Sequence, residues 1–182
     1  MKIIEMAVES GHDSSGIPWR YAAIPEELKQ LKIWMLWRLE HESKIPYRTS
    51  GGRGSSTDPE SWSTFPEAVA AEQRGKHSGI ALAIVPPFCG VDLDHCILPD
   101  GSLREWAIPI VEQLLAAGAY CEISPSLTGL KAITRGKKPE WSDRCTRHMD
   151  SVDALQKLES WDSGRYFTIT GRTFTVEPGV AS

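Results

Sequence analysis

Two aspartates separated by one residue are the feature of this sequence with the clearest chemical meaning. Asp92 and Asp94 lie in Val91-Asp92-Leu93-Asp94, a segment with the composition of a β-strand. Side chains two positions apart on a strand point to the same face, so both carboxylates emerge together while Leu93 points to the core. Adjacent carboxylates repel unless a cation lies between them, and Mg²⁺ or Mn²⁺ suits such oxygen ligands. The pattern predicts a divalent-metal site, although a strand end with two solvated acids would have the same sequence.

A hydroxyl-rich turn that leads through a glycine to a lysine is the second such segment. It reads Ser124-Pro125-Ser126-Leu127-Thr128-Gly129-Leu130-Lys131. The backbone amides and hydroxyls of such a turn can bind a phosphate, and a lysine at its exit can neutralise the charge. Ser124, Ser126 and Lys131 are therefore candidate nucleotide ligands. A serine-proline hairpin turn with a surface lysine is the alternative.

The third segment, residues 158–171, supplies another carboxylate and then a cation with aromatic neighbours. Glu159 or Asp162 is the carboxylate, and Arg165 precedes Tyr166 at the start of an apolar strand. Arginine can bind phosphate oxygens in a fork, and tyrosine can pack against a sugar or a base. A plain β-hairpin with an exposed ion pair is the alternative interpretation.

Short strands and helices must position these residues. Apolar runs predict strands over 33–39, 44–48, 79–85, 89–96, 120–124, 130–135, 158–161 and 165–170, and helical spacing predicts helices over 59–71, 103–117 and 151–157. Because the alternation lacks strict βαβ periodicity, we expect an α+β fold, a mixed β-sheet with flanking helices. Residues 1–16 are polar and rich in turn formers, which predicts a flexible N-terminal arm before a single domain over 17–182.

Composition and charge limit the classes of function. The chain has 182 residues, 41% hydrophobic and 24% charged, as in ordinary globular proteins. No apolar run is long enough to span a membrane and the first residues do not form a signal peptide, so we expect a cytoplasmic location. The net charge of −4 argues against non-specific coating of DNA. A template would have to use a local basic segment, residues 131–148, with Trp141 as a stacking surface.

The four cysteines are predicted to be reduced and partly buried, because they show no disulfide-framework or CxxC spacing. A zinc site is the alternative, but its spacings match no zinc module. Its ligands would be Cys89, Cys96, Cys145 and His148.

Taken in order, the three segments resemble the phage- and plasmid-type primase-polymerases of the archaeo-eukaryotic primase superfamily. Asp92 and Asp94 match the first motif of that family, a DxD on a strand. The serine turn matches the second motif, and the third matches a carboxylate followed by an R-Y/F-F-x-x-T-G pattern. Upstream, residues 44–47 (KIPY) and 58–62 (DPESW) resemble two further signatures, so the likeness covers about 34–171. Three residues depart from the family pattern: Lys131 replaces histidine, Leu127 replaces glycine and Trp161 replaces tyrosine.

The resemblance implies an RRM-like catalytic core with an N-terminal α/β unit, and nucleotidyl transfer assisted by two Mg²⁺ or Mn²⁺ ions. It implies that the catalytic metal ligands are Asp92, Asp94 and Glu159, with Asp162 as an alternative to Glu159. The implied ligands of the triphosphate are Ser124, Ser126, Lys131 and Arg165, with Lys44 a further candidate for phosphate or template. The implied partners are a single-stranded DNA template, a primer and NTPs or dNTPs, with a helicase domain or subunit in some members. The chain ends soon after the third motif, as expected for a domain of a longer replication protein or for a small stand-alone version.

Two other functions fit part of the pattern. A metal-dependent glycosyltransferase also places a DxD at a strand end, but it leaves the serine turn and the third segment unexplained. A catalytically weak or inactive primase-like module that binds nucleic acid fits the departures at Lys131 and Leu127, because lysine cannot act as a neutral imidazole and leucine hinders close approach of the backbone to phosphate.

Overall fold

The computed structural model describes residues 1–7, 10–138 and 146–177, which fall into two compact units. Unit 1 comprises Met1–Val8, Pro86–Asp162 and Arg172–Ser182. Unit 2 comprises Glu9–Val85 and Ser163–Gly171. The three predicted motifs are therefore divided between two bodies, and each body is described by itself.

Unit 2 is built on a four-stranded antiparallel sheet. Its strands are β2 (Trp34–Glu40), β3 (Ser43–Tyr47), β4 (Gly79–Ala83) and β10 (Tyr166–Ile169), in the order β10-β4-β2-β3. Every residue of β4 is buried, which explains its uninterrupted apolar sequence. The helices are α1 (Glu26–Lys29) and α2 (Phe65–Glu72), with 3-10 turns at Trp19–Tyr21 and Pro59–Ser61. The α2 residue Phe65 packs edge-to-face on Trp34, with ring centroids 4.8 Å apart.

The single helix predicted over 59–71 is two elements, because Thr64 starts a new helix inside it. The backbone N–H of Thr64 donates to the Glu67 carboxylate at 2.8 Å, half of a capping box. Asp58 caps the preceding 3-10 turn by accepting from the Glu60 N–H at 3.1 Å. Two caps six residues apart therefore divide the predicted helix.

Unit 1 contains a five-stranded sheet and a separate two-stranded one. The strands of the larger sheet are β5 (Phe88–Asp94), β6 (Tyr120–Ile123), β7 (Leu130–Arg135), β8 (Thr146–His148) and β9 (Lys157–Trp161), in the order β6-β7-β5-β9-β8. The smaller sheet pairs β1 (Lys2–Glu5) with β11 (Phe174–Glu177). The helix α3 (Ile108–Ala116) connects β5 to β6, which run parallel to each other with β7 between them.

One face of the larger sheet forms the apolar core of unit 1. Leu93 is fully buried there with its cross-strand neighbours Leu130 and Leu158. The other side of this core comes from α3 and the 3-10 turn Glu105–Ala107 before it, through Val111 and Ala107. Pro109 lies in the first turn of α3, where backbone N–H groups have no hydrogen-bond partner within the helix. Its missing N–H therefore costs no hydrogen bond, and the proline does not kink the helix.

The α+β class is confirmed, with corrections to particular elements. All eight strand pairings are antiparallel among the described residues, whereas a mixed sheet was predicted. Parallel neighbours need long crossovers, and the two helical crossovers in the described residues, β3 to β4 through α2 and β5 to β6 through α3, each join parallel strands that have another strand between them. The predicted helix over 151–157 is wrong, because Asp150 accepts from two turn amides, those of Val152 and Asp153, and β9 starts at Lys157.

Within the predicted N-terminal arm, Lys2–Glu5 forms β1, paired with β11. The strands β1, β8 and β11 have no counterpart among the predicted elements. No helix formed by the described residues is long and apolar enough to cross a membrane.

Candidate functional site

The strand register of unit 1 brings together charged residues that lie far apart in the sequence. Asp92, on the central strand β5, lies directly opposite Lys131 on one side and Glu159 on the other. Lys131 in turn lies opposite Glu122. Residues directly opposite each other in antiparallel strands share a face of the sheet. We call this side of the sheet the charged face; around Asp92 it carries Glu122, Lys131 and Glu159 in the same row, and Asp94 and Lys157 in the next.

Asp92 and Lys131 form a buried ion pair. Lys131 Nζ donates to Asp92 Oδ2, and the side chains are only 8% (Lys131) and 10% (Asp92) exposed. The other carboxylate oxygen, Asp92 Oδ1, is also buried and has no hydrogen-bond partner among the described residues. Such a buried oxygen is costly unless a donor or a cation satisfies it. Asp92 thus has one neutralised oxygen and one that fits a further ligand.

Asp94 lies half-buried at the end of β5, opposite Lys157. Burial raises the pKa of Asp94 above its ordinary value, and repulsion by the Asp92 carboxylate adds to the shift. The negative charge on Asp94 is therefore unfavourable in this fold as it stands, and a cation beside it would relieve that cost.

Glu159 lies next to Asp92 across the strand pair, and its carboxylate accepts hydrogen bonds. Thr146 Oγ1 donates to Oε1 at 3.1 Å, and Trp161 Nε1 donates to Oε2 at 3.3 Å. Asp162, the alternative carboxylate, directly follows β9. In the described part of the chain, no three His, Cys, Asp or Glu side chains are grouped closely enough to hold a metal ion. The ligand set of Asp92, Asp94 and Glu159 remains a prediction.

The serine-rich segment forms a tight turn between β6 and β7. The Ser124 N–H donates to the Gly129 carbonyl at 2.9 Å, and the Leu127 N–H donates to the Ser124 carbonyl at 3.0 Å. The hydroxyls form a chain, with 2.9 Å between Ser124 and Ser126 and 3.0 Å between Ser126 and Thr128. The turn therefore presents a line of three hydroxyl groups.

Leu127 has a left-handed backbone conformation, with φ of +65°, and the residue is 52% exposed. Glycine adopts this conformation without strain, which gives a physical reason for the glycine that the family has at this position. The departure at Leu127 thus changes the stability of the turn as well as the access to its backbone.

Gly129 holds this turn against the end of β5. A Cβ atom on Gly129 would lie 2.7 Å from the Leu93 carbonyl oxygen and 3.5 Å from the Asp94 Cα. Only a residue without a side chain allows this approach. The serine turn and the aspartate pair are therefore packed together within one unit.

The remaining predicted site residues lie in unit 2. Lys44 is an exposed residue of β3, and its carbonyl accepts a hydrogen bond from the Tyr166 hydroxyl. Arg165 immediately precedes β10. The third motif is not a hairpin, because β9 and β10 belong to different sheets and the boundary between the units follows Asp162.

The upstream signature at 58–62 has a structural role in unit 2. Asp58 caps the 3-10 turn and also accepts from the Ser61 hydroxyl at 3.0 Å. Trp62 Nε1 donates to the Ser55 carbonyl at 2.9 Å and fixes the glycine- and serine-rich loop.

The structure adds Glu122 and Thr146 to the candidate site. Glu122 is completely buried and accepts from the Tyr120 hydroxyl at 2.8 Å. Neither residue stands out in the sequence, because only the register of β6 and β8 places them on the charged face.

The predicted basic segment is only partly described. Lys131 does not belong to a basic surface, since it is buried. Arg135 covers the ring of Phe88, with its guanidinium carbon 5.4 Å from the ring centroid. Trp141, Arg144 and Cys145 lie outside the described residues. Cys145 is one of the four ligands of the alternative zinc site. Cys89 and Cys96 are buried free thiols, and burial raises the pKa of Cys96 to about 12.

Unit 1 therefore places two aspartates of one strand beside a hydroxyl-lined turn, and polymerases and nucleases are among the enzymes that use divalent metal ions held by the protein. No protein-family model matches the chain. Over 151 residues, 81% of its length, the chain is 36% identical to the DNA primase-polymerase of Nitratiruptor phage NrS-1. This similarity confirms the predicted resemblance to the phage-type primase-polymerases. The chain spans about a fifth (20%) of the length of that relative.

Proposed function

We propose that this chain is the catalytic domain of a DNA primase-polymerase, acting in the replication of a phage, a plasmid or another mobile element. Its reaction is the template-directed transfer of nucleotidyl groups from NTPs or dNTPs. The observation that carries the proposal is the packing of the serine turn, through Gly129, against the strand that bears Asp92 and Asp94. The 36% identity to a phage primase-polymerase supports the same conclusion.

An RRM-like core is the finer fold that we propose for unit 1. The order β6-β7-β5-β9, with α3 connecting the parallel strands β5 and β6, follows a split βαβ arrangement. Unit 2 then corresponds to the N-terminal α/β unit of the family. The predicted single domain over 17–182 remains a proposal, with these two units as its parts.

Asp92 and Asp94 are the residues that we propose hold a divalent ion, Mg²⁺ or Mn²⁺, with Glu159 or Asp162 as the third carboxylate. Two observations fit such an ion: Asp92 Oδ1 is a buried oxygen without a hydrogen-bond partner in the described residues, and Asp94 carries an unfavourable charge. When bound, ions of this kind activate the attacking hydroxyl and stabilise the departing pyrophosphate. Hard carboxylate oxygens are the ligands that both metals prefer.

The protein groups that we propose for the triphosphate are the hydroxyls of Ser124 and Ser126 and the cations Arg165, Lys44 and Lys131. The hydroxyls donate to phosphate oxygens, and the cations neutralise their charge. Catalysis of this type depends mainly on position and charge, so the close packing at Gly129 bears directly on activity. We propose a cytoplasmic enzyme that acts on a single-stranded DNA template and a primer, with a helicase domain or subunit as a partner.

Primer extension tests the proposal. The chain is incubated with primed and unprimed single-stranded DNA, Mn²⁺ or Mg²⁺, and dNTPs or NTPs. We expect extension by the wild type and a loss of about 100-fold or more in the Asp92→Asn/Asp94→Asn variant. Glu112→Gln is the matched control, because it removes an exposed carboxylate from α3 in the same unit and should leave extension unchanged. Extension that survives the double substitution would refute the proposed site.

A nucleic-acid-binding module with little or no catalytic activity is the second candidate. The ion pair between Lys131 and Asp92 favours it, because the lysine already neutralises one proposed metal ligand. This candidate predicts no extension under any metal, together with DNA binding that does not change in the Asp92→Asn/Asp94→Asn variant. A glycosyltransferase has no support from the similarity to a primase-polymerase.

A further inference from the structure

We propose that the Lys131 ammonium takes the place of one of the two divalent cations, so that the charged face binds one such ion instead of two. This inference rests on the proposed function, because it concerns the number of ions in the same site. It departs from the two-ion arrangement that the family resemblance implies.

The position of Lys131 is the first argument. Lys131 lies in register between the buried acids Glu122 and Asp92, and its ammonium contacts Asp92 Oδ2. An ion coordinated by Oδ2 would lie against the ammonium, where two positive charges with little water between them repel strongly. Oδ2 is therefore closed to a second cation as long as Lys131 remains there.

The division of the Asp92 carboxylate is the second argument. Oδ1 is buried without a hydrogen-bond partner among the described residues, while Oδ2 is neutralised. Asp94 lies half-buried on the same face, two residues further along β5. One divalent ion between Oδ1 and Asp94 would satisfy both groups, and no further carboxylate oxygen of Asp92 then remains for another.

The chemistry of lysine is the third argument. An ammonium is a compact positive charge with three donors, whereas the imidazole of a histidine, the residue that the family has at this position, is mostly neutral near pH 8. Lysine at this position places a positive charge beside Asp92 even when no metal is bound. Its neighbours on both sides, Glu122 and Asp92, are acids, so the fold holds it on the face and not in solvent.

Mn²⁺ binding, followed by the electron paramagnetic resonance signal of the free ion, tests the inference without any turnover. The full chain is titrated as wild type, as Lys131→Met, which keeps an apolar stem but no charge, and as Lys137→Met, an exposed-lysine control in the same unit. We expect one ion per chain for the wild type and the control. Lys131→Met should bind a second ion, or bind the first about tenfold more tightly. Equal stoichiometry and affinity in the wild type and Lys131→Met would overturn the inference.

A second variant covers the case in which Lys131→Met does not fold. Lys131→His at pH 8 introduces a mostly neutral ligand, and it should also bind two ions. One ion at unchanged affinity in that variant would equally count against the inference.

Primer extension on the same samples separates the inference from the proposed function. If the wild type extends primers but the wild type and the Lys131 variants bind the same number of Mn²⁺ ions with the same affinity, the proposed function stands and the inference is overturned. The expected change in stoichiometry without extension by any variant would retain the inference and overturn the function.

Discussion

Removal of the Lys131 charge should destabilise the protein strongly when no metal is present. Lys131→Met leaves the Asp92 carboxylate buried without its ion-pair partner. Loss of one member of a buried pair costs about 3–5 kcal/mol, because the remaining charge stays desolvated. Both side chains are at most about a tenth exposed, so screening by solvent does not reduce this figure much. Since domains of this kind are stable by about 5–15 kcal/mol, the loss should be large enough to measure easily.

A double-mutant cycle assigns the loss to the pair. Asp92→Asn/Lys131→Met removes both charges, so it should lose clearly less stability than the sum of the two single variants, with a coupling of about 2 kcal/mol or more. Urea unfolding at pH 7 with EDTA, followed by circular dichroism, gives the four free energies. Lys137→Met should stay within about 0.5 kcal/mol of the wild type. A loss below about 1 kcal/mol for Lys131→Met, or no coupling, would refute the reasoning.

Three further predictions concern the groups around this pair. Asp94→Asn should stabilise the metal-free protein at pH 7 and lose that advantage near pH 3, as urea midpoints at the two pH values would show. The reason is that the pKa of Asp94 is higher in the folded than in the unfolded chain, so its ionisation weakens the fold as pH rises through the folded pKa. Gly129→Ala should lose about 1–3 kcal/mol and reduce extension, since its Cβ would meet the Leu93 carbonyl; unchanged midpoint and activity would contradict it. Leu127→Gly should unfold at a midpoint equal to or above that of the wild type, since it relieves a left-handed conformation; a lower midpoint would count against it.

The strands of the fold were largely predictable from local composition, but their partners were not. Buried runs such as Gly79–Ala83 show themselves by continuous apolar sequence. The strands β1 and β11 are four residues each with little periodicity, and they pair with each other from opposite ends of the chain. No local pattern marks a pairing over that separation, so the antiparallel register came only from the structure.

The candidate site shows the same division between local and non-local information. The period of two along a strand was enough to place Asp92 and Asp94 on one face. The contact of Lys131 with Asp92 depends on the register of β7 against β5, so the sequence allowed only a phosphate-binding role for that lysine. Nothing in the sequence showed that Arg165 and Glu159 belong to different units, since only five residues separate them in one continuous motif.

The asymmetry of the strands beside β5 determines from which side a cation would reach Asp92. On the β7 side, Lys131 already contacts Oδ2, and an arriving ion would meet a positive charge. On the β9 side the neighbour of Asp92 is the Glu159 carboxylate, while Lys157 lies opposite Asp94 in the next row. We therefore expect a divalent ion at the proposed site to approach Asp92 beside Glu159, away from Lys131. In the proposed site Lys131 thereby does more than replace a histidine, because its contact with Oδ2 makes the two oxygens of the Asp92 carboxylate unequal for an arriving cation.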